Sequence, residues 1–264
     1  MAGLSVQKNY PQECRRLYQV LFRYGIEADV ISQEEDLTPY KVVFAPMLYL
    51  LKPGTEERFS QFVTEGGQLV ATYLTGYVNE NTLCYLGGFP GGALKDVFGL
   101  YTEEIDSLYP SERNGVAFTE DSGMEGVCQI RDFCEIIKPV TAQILACYTG
   151  DFYQGTPVIT VNRSGKGKAW YLGARVEDSG LEQLLGKIMC ELGITFKKLP
   201  IGVEKHIRYH DSVQFEFYLN YTTEEKEIHL EDNGIGFSLL YQKPVFDTLK
   251  LKGLGMDVIK QEKR

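Results

Sequence analysis

Residues 62–81 read FVTEGGQLVATYLTGYVNEN, and this stretch predicts the fold. The paired glycines Gly66 and Gly67 mark the end of a helix, because glycine commonly stops helices. The apolar run at 68–73 that follows predicts a strand, as does the earlier run at 42–45, which suits a strand buried on both faces. From 75 to 92 the chain becomes a long loop. A helix, a buried strand and a long loop in this order indicate an α/β sheet with functional residues on the loop.

The sequence before this stretch supports the same architecture. Apolar residues at helical spacing predict an amphipathic helix over residues 10–24, and short apolar runs predict strands at 28–31 and 42–45. A helix over 55–65 then leads into the strand at 68–73. The order α, β, β, α, β, with right-handed crossovers between parallel strands, predicts a doubly wound open sheet.

The remainder of the chain predicts the end of this domain and a second one. Three further strand segments are predicted, at 143–148, 158–162 and 169–172. A helix over 178–192 follows, and residues 197–200 look like a linker. After the linker come short alternating segments, at 203–209, 213–220, 226–230, 237–240 and 248–251. We therefore expect an α/β domain at 1–199 and a small antiparallel β-domain at 200–264.

Composition excludes several classes of function. Of the 264 residues, 44% are hydrophobic and 24% are charged, which is ordinary for a globular protein. The net charge of −9 argues against a nucleic-acid partner. The longest mainly apolar run, at 42–51, is far shorter than the roughly 20 residues of a membrane span. Six cysteines are scattered without a Cys-x-x-Cys pair, so we expect free thiols in a cytoplasmic protein.

Residues able to carry catalysis are sparse. The pair Asn79-Glu80 resembles the catalytic dipeptide of many sugar hydrolases, but it lies in a loop, where a solvated carboxylate explains it. Residues 1–199 contain no histidine, which excludes a Ser-His or Cys-His couple within that domain. The three histidines of the β-domain are His206, His210 and His229. They have no close third ligand in the sequence, so we expect neither a metal nor a cofactor.

Several stretches together resemble one known family. Residues 62–81 and the loop segment LGGFPGG at 86–92 are similar to the trimerisation domain of glycoside hydrolase family 42 β-galactosidases. Residues 94–108 match the family's helix followed by an acidic strand. The segments GVE at 202–204 and FYLNYT at 217–222 resemble its small C-terminal β-domain. The resemblance covers nearly the whole chain.

This resemblance implies an assembly role. The family's catalytic glutamates lie on an N-terminal (β/α)8 barrel, and no position here corresponds to them. The family's trimerisation domain has a flavodoxin-like fold, similar to class I glutamine amidotransferases without their nucleophile, and Tyr73-Leu74-Thr75 agree with that. The resemblance thus implies the non-catalytic oligomerisation portion of a homotrimeric β-galactosidase-like protein, which hydrolyses terminal β-D-galactosides in carbohydrate metabolism.

The resemblance also implies an interface and partners. Loops 46–54 and 75–92 become candidates for the contact between subunits, since interfaces are enriched in aromatic residues. The candidate interface residues are Tyr73, Tyr77, Asn79, Glu80, Tyr85 and Phe89. The partners expected are further copies of the chain and a catalytic barrel that is removed or separately encoded.

Two other functions remain open. The chain could be a stand-alone α/β domain that binds a small ligand, such as a sugar, at the carboxyl ends of its strands. It could also be an amidotransferase-like enzyme, which the missing nucleophile and histidine argue against.

Overall fold

The computed structural model describes residues 9–230 and 235–262 of the chain. They fall into two compact units. Unit 1 comprises the chain up to Arg15 together with Ile31–Ile194, and unit 2 comprises Arg16–Val30 together with Thr195–Arg264.

The division of the chain into domains at 1–199 and 200–264 stays a prediction. Their residues 1–8, 231–234 and 263–264 lie outside the described part. The first helix, α1 (Tyr10–Arg23), belongs to unit 1 up to Arg15 and to unit 2 beyond it.

Unit 1 alternates strands and helices and then continues with strands. Its further elements are β1 (Val42–Ala45), α2 (Thr55–Glu65), β2 (Gln68–Thr72), α3 (Leu94–Phe98), β3 (Leu100–Ser107), β4 (Asn114–Phe118), β5 (Val127–Pro139), β6 (Gln143–Tyr148), β7 (Pro157–Ser164), β8 (Gly167–Leu172), β9 (Ala174–Val176) and α4 (Asp178–Glu191). A single 3-10 turn at Glu120–Ser122 precedes β5 in the described chain.

The described strands of unit 1 form one nine-stranded mixed sheet. Its main path runs β1-β2-β8-β7-β6-β4-β5-β3, and β9 pairs with β5. Strands β1, β2 and β8 are parallel, whereas the remaining pairs are antiparallel. The predicted α/β class is confirmed in this form, as a mixed sheet with helices.

Strand β2 lies in the main core with both faces covered, whereas β1, expected to be buried on both faces, alternates between half-buried and buried residues. All five residues of β2 are buried, and helix α2 packs Phe59, Phe62 and Val63 into the same apolar cluster. The indole of Trp170 on β8 is fully buried. Its Nε1 donates a hydrogen bond of 2.8 Å to Oε1 of Gln68, which links β8 to β2.

The paired glycines end α2 as predicted. Gly66 has a φ of +124°, a backbone conformation that side chains disfavour. At Gly67 an added Cβ would lie 2.3 Å from a ring carbon of Phe62. Only glycine therefore lets the chain turn from α2 into β2 against that ring.

Sequence patterns located most of the elements of unit 1. The predicted helices over 10–24, 55–65 and 178–192 are confirmed, as are the strands at 143–148, 158–162 and 169–172. The predicted strand at 28–31 is wrong, because the structure has no strand there. Val30 is 92% exposed, so this short apolar run faces water rather than a sheet.

Strand β5 gives no simple sequence pattern. Its side chains alternate between exposed and buried up to Arg131 and are then buried continuously over 133–137. The change occurs at a bulge between Arg131 and Cys134 in the pairing with β9, where Asp132 has a φ of +69°. A bulge breaks the period of two and re-aims the side chains beyond it.

Unit 2 is antiparallel, as predicted. Its strands are β10 (Val203–His210), β11 (Val213–Asn220), β12 (Lys226–His229), β13 (Ile235–Ser238), β14 (Lys243–Phe246), β15 (Thr248–Leu251) and β16 (Met256–Glu262). In the described chain they form a five-stranded sheet, β10-β11-β16-β13-β14, and a two-stranded sheet, β12-β15. The sequence patterns missed β14 and β16. None of the helices at 9–230 or 235–262 has the length and apolar character needed to cross a bilayer.

A buried ion pair joins β10 to β11. The Lys205 Nζ lies 2.8 Å from Glu216 Oε1, and both side chains are almost fully buried. The Tyr218 hydroxyl donates a 2.7 Å hydrogen bond to the other carboxylate oxygen. Removing one partner of such a pair leaves a buried charge uncompensated, whereas replacing both is often nearly neutral.

We expect Lys205→Met to lower the free energy of unfolding of unit 2 by about 3 kcal/mol. Hydrogen exchange of the β10 and β11 amides measures this change. The control Lys250→Met removes an exposed pair with Glu227 and leaves exchange unchanged. The double variant Lys205→Met with Glu216→Met should recover most of the loss. A single variant as stable as the native chain would contradict the prediction.

Candidate functional site

The two loops predicted as candidate interface lie side by side in unit 1. Because β1, β2 and β8 are parallel, the segments that leave β1 and β2 emerge at the same edge of the sheet. The N–H groups of Gly76 and Tyr77 donate to the carbonyls of Leu48 and Tyr49, at 2.9 and 3.0 Å. We refer to residues 46–54 and 75–92 together as the joined loops.

A stack of three aromatic rings reinforces this connection. The Tyr77 ring lies between Tyr49, at a centroid distance of 5.7 Å, and Phe89, at 3.9 Å. Both pairs are nearly parallel, with interplanar angles of 7° and 16°. The N–H of Thr102 on β3 donates to the carbonyl of Phe89 at 2.7 Å. These contacts hold both ends of the loop 75–92 against the loop 46–54 and β3.

A buried carboxylate, Glu135 on β5, lies beneath the joined loops. Its Oε1 accepts hydrogen bonds of 2.8 Å from the backbone N–H of Leu74 and from the hydroxyl of Tyr77. Its Oε2 accepts from the Tyr171 hydroxyl at 2.7 Å and from the Thr102 hydroxyl at 3.4 Å. One side chain thus connects the loop, β3 and β8.

None of these four donors is a cation, so neutral groups supply the hydrogen bonds to Glu135. Burial raises the pKa of the Glu135 carboxyl, and the hydrogen bonds of Leu74, Tyr171, Tyr77 and Thr102 offset only part of that effect. Burial also raises the pKa of Tyr77, further increased by the neighbouring carboxylate. The Tyr77 hydroxyl consequently stays protonated at neutral pH and donates to Glu135.

A second buried cluster surrounds Arg175 on β9. Its guanidinium donates to the Tyr73 hydroxyl at 2.6 Å and pairs with Asp132 and with Glu13, the latter at 3.4 Å. The guanidinium also lies over the rings of Tyr73 and Phe133, 5.6 and 5.8 Å from their centroids. Although burial lowers the pKa of Arg175, Tyr73 and the two carboxylates outweigh it and raise that pKa. This cluster fixes Tyr73, the first residue after β2.

The turn after β2 has the sharp geometry at which an α/β enzyme presents a nucleophile. Leu74 adopts a φ of +62°, but its side chain is apolar and only 1% exposed. The surrounding polar groups already have protein partners: Tyr77 donates to Glu135, and Arg175 binds Tyr73 and Asp132. The arrangement is suited to holding the loops rather than to attacking a substrate.

The structure separates the six candidate interface residues by depth. Tyr73 and Tyr77 are buried, Asn79, Tyr85 and Phe89 are half-buried, and Glu80 is exposed.

Two of the half-buried residues, Asn79 and Tyr85, have a local role in the loop. Asn79 Oδ1 accepts from the N–H groups of Asn81 and Leu83, both at 3.0 Å, and so shapes the turn. The Tyr85 ring packs over Gly91, where an added Cβ would lie 2.2 Å from ring carbons. Residues 46–54 and 75–92 therefore come together, and the half-buried and exposed residues of the loops lie on the buried ones; their role as an interface stays a prediction.

Two kinds of residue in the candidate site were not predicted from the sequence: the buried polar side chains beneath the loops, and the exposed leucines on them. Glu135 lies within the run FCEII at 133–137, and an acidic residue inside an apolar run is a signal that could have identified it. Leu83 and Leu86 are 63% and 97% exposed. Within residues 9–230 and 235–262, no three His, Cys, Asp or Glu side chains are placed to hold a metal ion.

We expect Glu135→Gln to fold and to change the pH dependence of stability. A glutamine amide can keep its oxygen toward Leu74 and turn its NH2 toward the Tyr171 and Thr102 hydroxyls, which can accept. Because burial raises the pKa of Glu135 in the folded chain, the carboxyl stabilises the fold most below its unfolded pKa, and this contribution falls as pH rises through the folded pKa.

Denaturation of both chains between pH 4.5 and pH 8 tests this, the lower limit being the ordinary pKa of the residue. The stability of the native chain relative to Glu135→Gln should decrease as pH rises. Parallel profiles, or a relative increase with pH, would contradict the assignment.

Comparison with known proteins identifies the family. A family model described as the β-galactosidase trimerisation domain matches residues 2–195. The β-galactosidase Pbg of Clostridium perfringens is 37% identical over 263 residues, which are 97% of this chain and 38% of that protein. The β-galactosidase BglY of Alicyclobacillus acidocaldarius is 37% identical over 266 residues, 98% of this chain and 38% of that protein.

A solved structure agrees with these relatives. The crystal structure of a β-galactosidase from Bacillus circulans sp. alkalophilus matches with a TM-score of 0.92 at 35% identity, over 99% of this chain and 39% of that chain. The chain thus spans 38% of the length of both curated relatives. The resemblance to glycoside hydrolase family 42 is confirmed, and the chain belongs to the β-galactosidase trimerisation-domain family.

Proposed function

We propose that this chain is the non-catalytic oligomerisation portion of a β-galactosidase-like protein and that it forms a homotrimer through the joined loops. The hydrolysis of terminal β-D-galactosides belongs, in this proposal, to a catalytic barrel outside these 264 residues. We extend the proposal to the fold of unit 1, as a flavodoxin-like, class I glutamine amidotransferase-like doubly wound sheet. The six free cysteines are in keeping with a cytoplasmic location.

The observation that carries this proposal is an exposed apolar tip on a fixed base. Leu83 and Leu86 are 63% and 97% exposed, while the loop beneath them is held by Tyr77, Glu135 and the ring stack. A preorganised loop loses little conformational entropy on association, so its apolar contacts contribute more fully to affinity. Among the six candidates, Glu80, Asn79, Tyr85 and Phe89 would border the contact, and Tyr73 and Tyr77 would support it.

Other observations support the proposed lack of catalysis in this chain. The family match covers 2–195, and residues 1–199 contain no histidine. At the turn after β2, the position of a nucleophile is taken by the buried Leu74. The relatives named as β-galactosidases are more than twice as long as this chain, which supports placing hydrolysis elsewhere.

A stand-alone sugar-binding domain is less well supported. Such a domain would present polar groups to a ligand at the carboxyl ends of β1, β2 and β8. Here Tyr73, Tyr77, Glu135 and Arg175 are buried at that edge and bond to other protein groups.

The charge variant Leu83→Asp with Leu86→Asp tests the joined loops. We expect it to weaken self-association about ten-fold or more, because it places charges in the apolar contact. Sedimentation of the purified chain over a range of concentrations measures the effect. The control is Val140→Asp, which alters an equally exposed apolar residue outside the joined loops. Equal affinity of the two variants would contradict the assignment of the interface.

Two native thiols provide a second test without mutation. Cys84 lies in the joined loops and Cys190 on α4, and both are exposed. We expect alkylation of Cys84 to slow as protein concentration rises, whereas alkylation of Cys190 stays constant. The same sample should show a mass near three chains by light scattering and no turnover of a chromogenic β-galactoside. Measurable turnover, or protection of both thiols alike, would contradict the proposal.

A further inference from the structure

Leu74 and Met47 are the points at which the chain leaves the two parallel strands for the joined loops, and both have unusual backbone conformations. Leu74 follows β2 with a φ of +62°, and Met47 follows β1 with a φ of +46°. Residues with a Cβ rarely adopt this left-handed region, and they persist there only when their surroundings hold them. At Met47 the holding acceptor is the Thr72 hydroxyl, at 2.8 Å from its N–H. At Leu74 it is Glu135 Oε1.

The two oxygens of Glu135 divide between the loop and the sheet. Oε1 binds only to the loop side, through the Leu74 N–H and the Tyr77 hydroxyl. Oε2 faces the hydroxyls of Tyr171 on β8 and Thr102 on β3. The carbonyl of Glu135 is itself held by the Tyr148 hydroxyl of β6, at 2.8 Å. The carboxylate therefore transfers the rigidity of several strands to the base of the loop.

The same tether reaches the outer part of the loop through Tyr77. Its ring stacks on Tyr49 and Phe89, and its carbonyl accepts from the Tyr85 N–H at 3.3 Å. Fixing the Tyr77 hydroxyl thus fixes the rings on both sides and the segment that leads to Leu83 and Leu86.

We propose that Glu135 is a positioning residue for self-association, holding the turn at Leu74 and the ring of Tyr77 so that the exposed leucines of the joined loops are presented in one arrangement. This inference rests on the proposed function, because it assigns the association surface to the joined loops. It adds that a group buried beneath the surface determines the affinity without contacting the second copy.

Four variants of the full chain test the proposal. Glu135→Leu keeps the side-chain volume and removes the acceptor, while Glu135→Gln restores an acceptor for Leu74. Tyr77→Phe keeps the ring stack and removes one tether. Thr102→Val is the control, because it removes the longest of the four hydrogen bonds to Glu135, at 3.4 Å, while the Thr102 N–H still donates to Phe89.

Two readouts are measured on each variant. Hydrogen exchange of the amides at 74–78, in dilute samples, reports the order of the loop, and sedimentation reports association. We expect Glu135→Leu to speed exchange and to weaken association by about ten-fold each, and Tyr77→Phe to do both to a smaller extent. Glu135→Gln and Thr102→Val should stay within about three-fold of the native chain.

The outcomes separate this inference from the function on which it rests. A loosened loop with native affinity in Glu135→Leu overturns the positioning role, as does native exchange in both Glu135→Leu and Tyr77→Phe. If Glu135→Leu fails to fold, Tyr77→Phe alone decides, and native affinity for it overturns the proposal. A native chain that stays monomeric at all concentrations contradicts the proposed function, and the proposal falls with it even where exchange shows that Glu135 orders the loop.

Discussion

The hydrogen bonds accepted by the buried Glu135 carboxylate are the constraint on which the rest of unit 1 depends. A carboxylate removed from water must find donors, because an unsatisfied buried charge costs several kcal/mol. Here the donors come from the turn after β2, from β3 and from β8. Segments distant in sequence are therefore obliged to meet at one point, and the loop that leaves β2 can follow only the course that supplies its two donors.

Around Glu135, buried residues support the loops, and exposed residues are left to make contacts. The buried side chains bond in pairs, Tyr77 to Glu135 and Arg175 to Tyr73. The exposed ones, chiefly Leu83 and Leu86, extend beyond them. Such a division lets the outer residues change without loss of the fold, whereas a change beneath them alters the arrangement of the whole surface. It also explains why a sheet edge at which many α/β proteins bind ligands is here filled by the protein itself.

Sequence patterns predicted the parallel half of unit 1 better than its antiparallel half. The signals of the parallel half are local: the glycine pair at Gly66-Gly67, the apolar run of β2 and the helical spacing of α1, α2 and α4. Such signals can be recognised within a short window of sequence. The bulge at Asp132 breaks the alternation of β5, so no period could predict that strand. The run at 28–31 failed for the opposite reason, since a few apolar residues resemble a strand even where nothing pairs with them.

The candidate site was predicted as two loops, but its organising residues were not. The resemblance to a known family selected 46–54 and 75–92, and hydrogen bonds between Gly76, Tyr77 and the first loop bring them together. Glu135 and Arg175 were missed because strand residues of these types are normally solvated. Their partners are 58 and 102 positions away at Tyr77 and Tyr73, and such pairings become visible only in three dimensions.

The hydrogen bond between Trp170 and Gln68 has a consequence for spectroscopy. Trp170 is the chain's only tryptophan, and it is fully buried between the parallel strands of unit 1. Its emission colour depends on the polarity around the indole, so it shifts to the red only when these strands separate. Tryptophan fluorescence excited to the red of tyrosine absorption therefore reports on unit 1 alone, because unit 2 has tyrosines but no indole. The chain carries its own label for observing one of its two units separately.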